Sequence, residues 1–239
     1  MAGVAGVVRM PHSDRSGTGL TAWDAIDPAS LAAGAPVQRG WIVDQEAQTG
    51  YLFGVWDCTA FTEHMGPYAV DEFMLLLEGS VTMGMPDGTD VVVDAGDVFV
   101  IPKGLQCQWK QTGYVRKVFM IVDDPVPAGP HNPSLSRITV PDLSAIPADG
   151  PVETSKTWFT NATGRMSVDV RSSAGGRTDP RPSNAHQILH VLAGALELTS
   201  DAGAQHFGAG ETVYIRAGSE VARTLAPGTT WVQSSYVPA

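Results

Sequence analysis

The sequence predicts an all-β chain built from two copies of one barrel-like unit, and three observations carry that reading. The first is an internal repeat. Residues 71–79, DEFMLLLEG, return as HQILHVLAG at 186–194. Behind them, SVTMGMPDGTDVVVDAGDVFVIPKG parallels ALELTSDAGAQHFGAGETVYIRAG. Aligning Gly79 with Gly194 pairs Gly88 with Gly203, then Gly96 with Gly210 after a one-residue deletion, and Gly104 with Gly218. The period is too long for a solenoid, so each copy must close its own core. The second observation is a series of short β-branched and aromatic runs, Val91–Val93, Val98–Ile101 and Val118–Val122, each bounded by Gly, Pro or Asp. The third is a wealth of turn formers: 26 Gly and 17 Pro in 239 residues favour tight turns over long helices.

The elements follow in order. Residues 1–40 resemble neither copy and read as an N-terminal arm, part loop and part edge strand. Residues 41–123 make the first barrel, with Pro86-Asp87-Gly88 as a hairpin turn because glycine supplies the positive φ such turns need. Residues 124–160 form a linker. Pro125, Pro127, Pro130, Pro133, Pro141 and Pro147 crowd the stretch around its start, and proline lacks the amide donor of a sheet ladder. Residues 161–239 make the second barrel, with Asp201-Ala202-Gly203 as its matching turn.

Composition narrows the function classes. Hydrophobic residues are 43% and charged residues 17%, which suits a packed core rather than disorder. The formal charge is −10, so phosphate backbones and anionic lipid heads are repelled, and neither nucleic acid nor membrane is expected as a partner. Two cysteines, Cys58 and Cys107, make no disulfide framework and read as reduced thiols. The N-terminus lacks a signal-like apolar run, and no stretch approaches the ~20 apolar residues of a membrane helix, so a cytoplasmic protein is expected.

Several of these strings point to a known family. Gly96-Asp97, then Pro102 and Gly104, resembles the second motif of the cupins, and Glu72 with Gly79 resembles the end of the first. The fuller strings VWDCTAF, DEFMLLLEGSV, GDVFVIPKGLQCQW and VRKVFMIV resemble the ureidoglycine-aminohydrolase-like branch over about residues 50–123. The second copy, about 164–237, keeps only the glycines and the apolar alternation. The resemblance implies two tandem RmlC-like jelly-roll barrels, a homodimer, and any active site inside a barrel. It also implies where metal ligands would stand, and most of them are replaced. Only Glu72 keeps its place; the two histidine places fall near Met65 to Tyr68, with His64 just outside, and the third is Cys107. In the second copy Gln187 stands for the glutamate, Arg181 or Ser183 for histidine, and Val221 for the last histidine, so that barrel is expected to be metal-free and structural. In the named hydrolases the metal belongs to the second domain, so the resemblance does not carry the activity with it.

The candidate site therefore lies in the first barrel. By period-two alternation Glu72, Met74 and Leu76 share a face, which the resemblance turns inward. A carboxyl desolvated there suits acid or base work, or pairs with Arg116 or Lys117. One of those two cations must face inward, since adjacent strand residues point oppositely. Cys107 and Trp109 share a face, and Cys107 reads as a soft metal ligand, a nucleophile or a small apolar filler. Trp56, Tyr68 and Trp109 are expected at the barrel mouth, as pocket walls or as core. His64, Glu72 and Cys107 are the residues from which a zinc, manganese or iron site would be built, thiolate favouring zinc. His186 and His190 have the opposite parity to Gln187 and are expected on the surface or in packing between domains.

Two readings follow. One is an enzyme of hydrolase, isomerase or lyase type on a small polar or carboxylate-bearing substrate, with Glu72 moving protons and Arg116 and Lys117 stabilising charge. The other is a non-catalytic cupin that binds or senses a metabolite.

Overall fold

A computed structural model describes residues 6–10, 19–125, 133–138 and 153–238. Among these there is no α-helix, only a 3-10 turn at Pro28–Ser30. No helix is long and apolar enough to cross a membrane. The chain folds as two tandem jelly-roll units, Arg15–Thr139 and Met1–Asp14 with Val140–Ala239.

In the Arg15–Thr139 unit one sheet runs in the order Ser136–Ile138, Val98–Ile101, Asp71–Glu78, Val115–Val122, Tyr51–Cys58, Gln38–Glu46, Thr21–Ala22. The opposing sheet runs Asp90–Asp94, Ser80–Gly84, Gln106–Gln111, Phe61–Glu63, Leu31–Gly34, with Gly66–Pro67 also pairing Gln106–Gln111. Every pairing is antiparallel. The alternation expected of Asp71–Glu78 holds: Met74 and Leu76 enter one cluster with Phe99, Ile101, Trp109 and Phe119. Phe73 and Leu75, on the opposite face, are buried too, which is why the strand reads as an unbroken apolar run.

The other unit repeats the order. Thr212–Ile215, His186–Ala193, Thr229–Tyr236, Met166–Ser173 and Thr154–Thr160 stand where Val98–Ile101, Asp71–Glu78, Val115–Val122, Tyr51–Cys58 and Gln38–Glu46 stand in the first. Gly203–Gly208, Ala195–Ser200, Glu220–Leu225 and Gly176–Arg177 form its second sheet, and Arg181–Pro182 also pairs Glu220–Leu225. Leu189, Val191, Leu196, Val213, Val221 and Trp231 fill its interior. The paired glycines have a shared cause. Gly79 at φ +80 and Gly194 at φ +78 turn the chain between equivalent strands. A Cβ there would lie 2.0 Å from the Tyr114 carbonyl oxygen in one copy and 2.5 Å from Thr229 Oγ1 in the other.

The boundaries drawn from the sequence shift. The stretch 1–40 is divided: Val7–Arg9 pairs with Thr212–Ile215, whereas Thr21–Ala22 and Leu31–Gly34 pair with Gln38–Glu46 and Phe61–Glu63. Within 124–160, Ser136–Ile138 pairs with Val98–Ile101 and Thr154–Thr160 with Met166–Ser173. Val7–Arg9 and Ser136–Ile138 thus take the same place in the two units, each covering an edge that would otherwise leave ladder groups unpaired. Pro127, Pro130, Pro141 and Pro147 lie outside the described residues. His186 and His190 face away from Gln187 as expected, yet both are buried, not on the surface. His186 Nδ1 lies 2.6 Å from the Tyr214 hydroxyl and its ring stacks on Tyr214 and Tyr236, while His190 Nδ1 lies 2.8 Å from Thr212 Oγ1.

Candidate functional site

The first barrel gathers its polar groups at one place. Asp71–Glu78 and Val115–Val122 are neighbours in an unbroken register from Lys117 to Val122, which puts Lys117, opposite Leu76, on the face shared by Glu72 and Met74. Lys117 is the inward one. Its Nζ donates to Glu72 Oε1 at 2.8 Å and approaches Met74 Sδ at 3.1 Å. The Tyr68 hydroxyl donates to Glu72 Oε2. Both members of the ion pair are almost fully buried, with side-chain exposures of 8% for Lys117 and 4% for Glu72.

Two indoles flank the ammonium. Lys117 Nζ lies 4.7 Å from the Trp56 ring centroid and 4.8 Å from that of Trp109, within cation–π reach. The two rings meet edge to face at 6.3 Å. Each indole N–H is anchored, Trp56 Nε1 to Gln38 Oε1 at 2.8 Å and Trp109 Nε1 to Gln111 Oε1 at 3.0 Å. The Gln111 amide in turn donates to the Cys58, Thr59 and Gly113 carbonyls, which fixes its orientation. The cage around Lys117 is thus held by a second layer of hydrogen bonds.

Two cavities adjoin the pair. One, of about 150 Å³, is lined by Trp23, Trp56, Glu72, Lys117, Phe119 and Ile121. The other, of about 210 Å³, includes Gln38, Trp56, Glu63, Tyr68, Trp109 and Lys117. Trp56, Tyr68 and Trp109 line the second of these cavities, and Trp56 and Trp109 also belong to the apolar cluster of the barrel. Glu63, Gln38 and Trp23 were not singled out by the sequence. Burial and the Glu72 charge raise the Glu63 carboxyl above its ordinary value, against the pull of Lys117. Tyr68 is held well above its ordinary value by burial and by the Glu72 carboxylate. The phenol therefore stays protonated and serves as a donor.

Other candidates stand elsewhere. Arg116 is buried on the face opposite Lys117, in register with Asp57 and Glu78, and lines neither cavity. Cys107 is buried inside the apolar cluster, with its thiol pushed up to about 11 by desolvation and the Glu63 charge. It packs as a small apolar side chain and is neither an activated nucleophile nor a ready thiolate ligand. His64 is exposed, its backbone N–H donating to the Ser30 carbonyl at 2.9 Å. Among the described residues no group of three or more His, Cys, Asp or Glu side chains could hold a metal ion. The metal set of His64, Glu72 and Cys107 is therefore not assembled. The ammonium of Lys117 supplies, at 2.8 Å from Glu72, the positive charge a metal would otherwise bring, and a second cation there would be repelled. The residues present do not fit the cupin metal.

Comparison with known proteins agrees with this architecture. Residues 46–119 match the EutQ-like cupin domain family. A protein of unknown function belonging to the DUF861 family, from Pseudomonas syringae pv. tomato, superposes with a TM-score of 0.73 at 20% identity, covering 96% of this chain and 98% of its own. A cupin 2 conserved barrel domain protein from Leptotrichia buccalis superposes with a TM-score of 0.62 at 12% identity, covering 91% and 98%. A salicylate 1,2-dioxygenase variant from Pseudoaminobacter salicylatoxidans reaches a TM-score of 0.53 at 11% identity, covering 78% of this chain and 71% of that one. No curated protein matches the sequence. Residues 46–119 are thus similar to a cupin domain, and the superpositions show that the chain shares its fold with these proteins.

Proposed function

We propose that the Arg15–Thr139 barrel takes up a small polar or carboxylate-bearing molecule and acts on it by metal-independent acid–base chemistry, as a hydrolase, isomerase or lyase. The observation that carries this reading is the buried Glu72–Lys117 pair, flanked by two cavities and caged by Trp56 and Trp109. An ammonium fixed between indoles is a ready counter-charge for a carboxylate or a developing oxyanion. Glu72, beside it, accepts or returns a proton, and Tyr68 supplies an O–H donor on its far oxygen. The pair itself is almost wholly removed from water, which strengthens its interactions with a bound molecule. The deciding experiment combines a thermal-shift screen of small hydroxy and amino carboxylates with turnover assays of the hits. Glu72→Gln should retain a hit's stabilising effect and lose its turnover. A variant with unaltered turnover would remove Glu72 from the chemistry.

A second reading, a non-catalytic binding cupin, is favoured by one observation: both Glu72 oxygens already accept hydrogen bonds. Under it, hits bind and no turnover is found in either protein. As to ancestry, we infer that the two units are the halves of a bicupin of the ureidoglycine-aminohydrolase-like branch. The repeated strand order and the end-to-end likeness to a DUF861 protein support this. A homodimer in the cytoplasm, without nucleic-acid or membrane partners, completes the proposal, and size-exclusion chromatography of the full chain tests its oligomeric part.

A further inference from the structure

The second barrel, expected from its sequence to be only structural, carries a charged cavity of its own. It measures about 460 Å³ and is lined by Arg171, Arg181 and Arg223 together with hydroxyl and amide side chains. Alternation explains how a guanidinium comes to lie inside. Val221, Arg223 and Leu225 share one face of their strand, and Val221 and Leu225 belong to the barrel's apolar cluster. Arg223 is therefore directed inward. Gln187 and Gln233 point in beside it on the same logic, from strands whose Leu189 and Trp231 enter that cluster. Arg181 stands across the ladder from Val221.

The charges do not cancel within the cavity. Arg171 is held by Asp169 at 3.1 Å and Glu153 at 3.7 Å. Arg223 donates to Gln187 Oε1 and, at 3.5 Å, to Gln233 Oε1, both neutral amides. Among the described residues no carboxylate contacts Arg223 or Arg181, and the buried Arg171 Nε has no hydrogen-bond partner. Three guanidiniums thus face two carboxylates. In a chain of net charge −10, this leaves one uncompensated positive charge in a polar cavity. Burial lowers Arg223 to about 10, opposed by the Glu153 carboxylate and reinforced by the charges of Arg171 and Arg181.

We propose that this barrel is a second ligand site, which binds a small monocarboxylate bearing hydroxyl groups. The carboxylate is held by the guanidiniums of Arg223 and Arg181, and the hydroxyls by Gln187, Gln233 and the serine side chains of the wall. Arginine matches a carboxylate with two parallel hydrogen bonds. A single negative charge balances the cavity, whereas a phosphate dianion would overcompensate it beside Glu153. The site is independent of the chemistry proposed at Glu72.

The test uses the full chain, isotope-labelled for detection of guanidinium Nε–H resonances, with glycerate as probe and inorganic phosphate as comparator. The Arg181 and Arg223 resonances are assigned by their loss in Arg181→Ala and Arg223→Met. Glycerate should shift both saturably, more tightly than phosphate. Arg181→Ala, a change at an exposed residue that leaves the core intact, should weaken glycerate at least about tenfold. Resonances unmoved by glycerate, undiminished affinity in Arg181→Ala, or tighter binding of phosphate would each overturn the proposal.

Discussion

Lys117 and Glu72 meet at 2.8 Å with almost no exposure to water, on adjacent strands whose sequence positions are 45 residues apart. Their contact depends on the regular pairing of Lys117 with Leu76 and of Ile121 with Glu72, beside an indole cage anchored by Gln38 and Gln111. An ion pair so placed is costly to break because its surviving partner stays buried.

The first prediction follows from that asymmetry. Lys117→Met leaves the Glu72 carboxylate with Tyr68 alone and should cost about 3–5 kcal/mol of stability in urea unfolding at neutral pH. Adding Glu72→Gln should recover a large part of the loss by removing the stranded charge. A loss in the double variant equal to the sum of the losses in Lys117→Met and Glu72→Gln would show that the two residues are not coupled.

Metal content gives a second check. Since the Lys117 ammonium holds the Glu72 carboxylate, elemental analysis of purified, never-chelated protein should find far less than one zinc, manganese or iron per chain. Chelator should leave the Tm unchanged. A full equivalent of metal that is lost in Glu72→Ala would restore the three-residue ligand set.

The thiols set a pH dependence. Cys58 and Cys107 are both raised from 9.0 to about 11, chiefly by desolvation. A thiol with a raised folded-state value holds its proton better in the native than in the unfolded chain. Its contribution is therefore complete below the unfolded value and is lost as pH rises through the folded one. Stability should decline between about pH 9 and pH 11, less steeply in Cys58→Ala/Cys107→Ala than in wild type. Parallel declines in the two proteins would refute this assignment. At pH 8 neither native thiol should react readily with iodoacetamide.

Two glycines separate backbone strain from collision. Gly88 and Gly79 both have positive φ, +85 and +80. A Cβ on Gly88 meets nothing within 4 Å, whereas one on Gly79 strikes the Tyr114 carbonyl. Gly88→Ala should cost about 1–2 kcal/mol, the left-handed backbone alone. Gly79→Ala should cost clearly more in the same denaturation assay, and equal costs would mean that the strand ends yield freely.

What the sequence determined by itself was whatever repeats locally. Turn glycines at matched spacing announced two similar barrels, and period-two alternation put Glu72 on one face with Met74 and Cys107 on one face with Trp109, faces that the family resemblance turned inward. The tertiary structure decided what depends on pairings far apart in the chain. It chose Lys117 over Arg116, because the pairing that puts Lys117 opposite Leu76, on the face of Glu72, is not written in either strand alone. It brought Trp23, Gln38 and Glu63 to the cavity from segments that carry no motif. It used Val7–Arg9 and Ser136–Ile138 to cover equivalent sheet edges, although one lay in a stretch read as an arm and the other in a proline-rich linker. And it gathered Arg171, Arg181 and Arg223 from three strands into one cavity. Alternation says which way a side chain points; only the closed barrel says what it meets there.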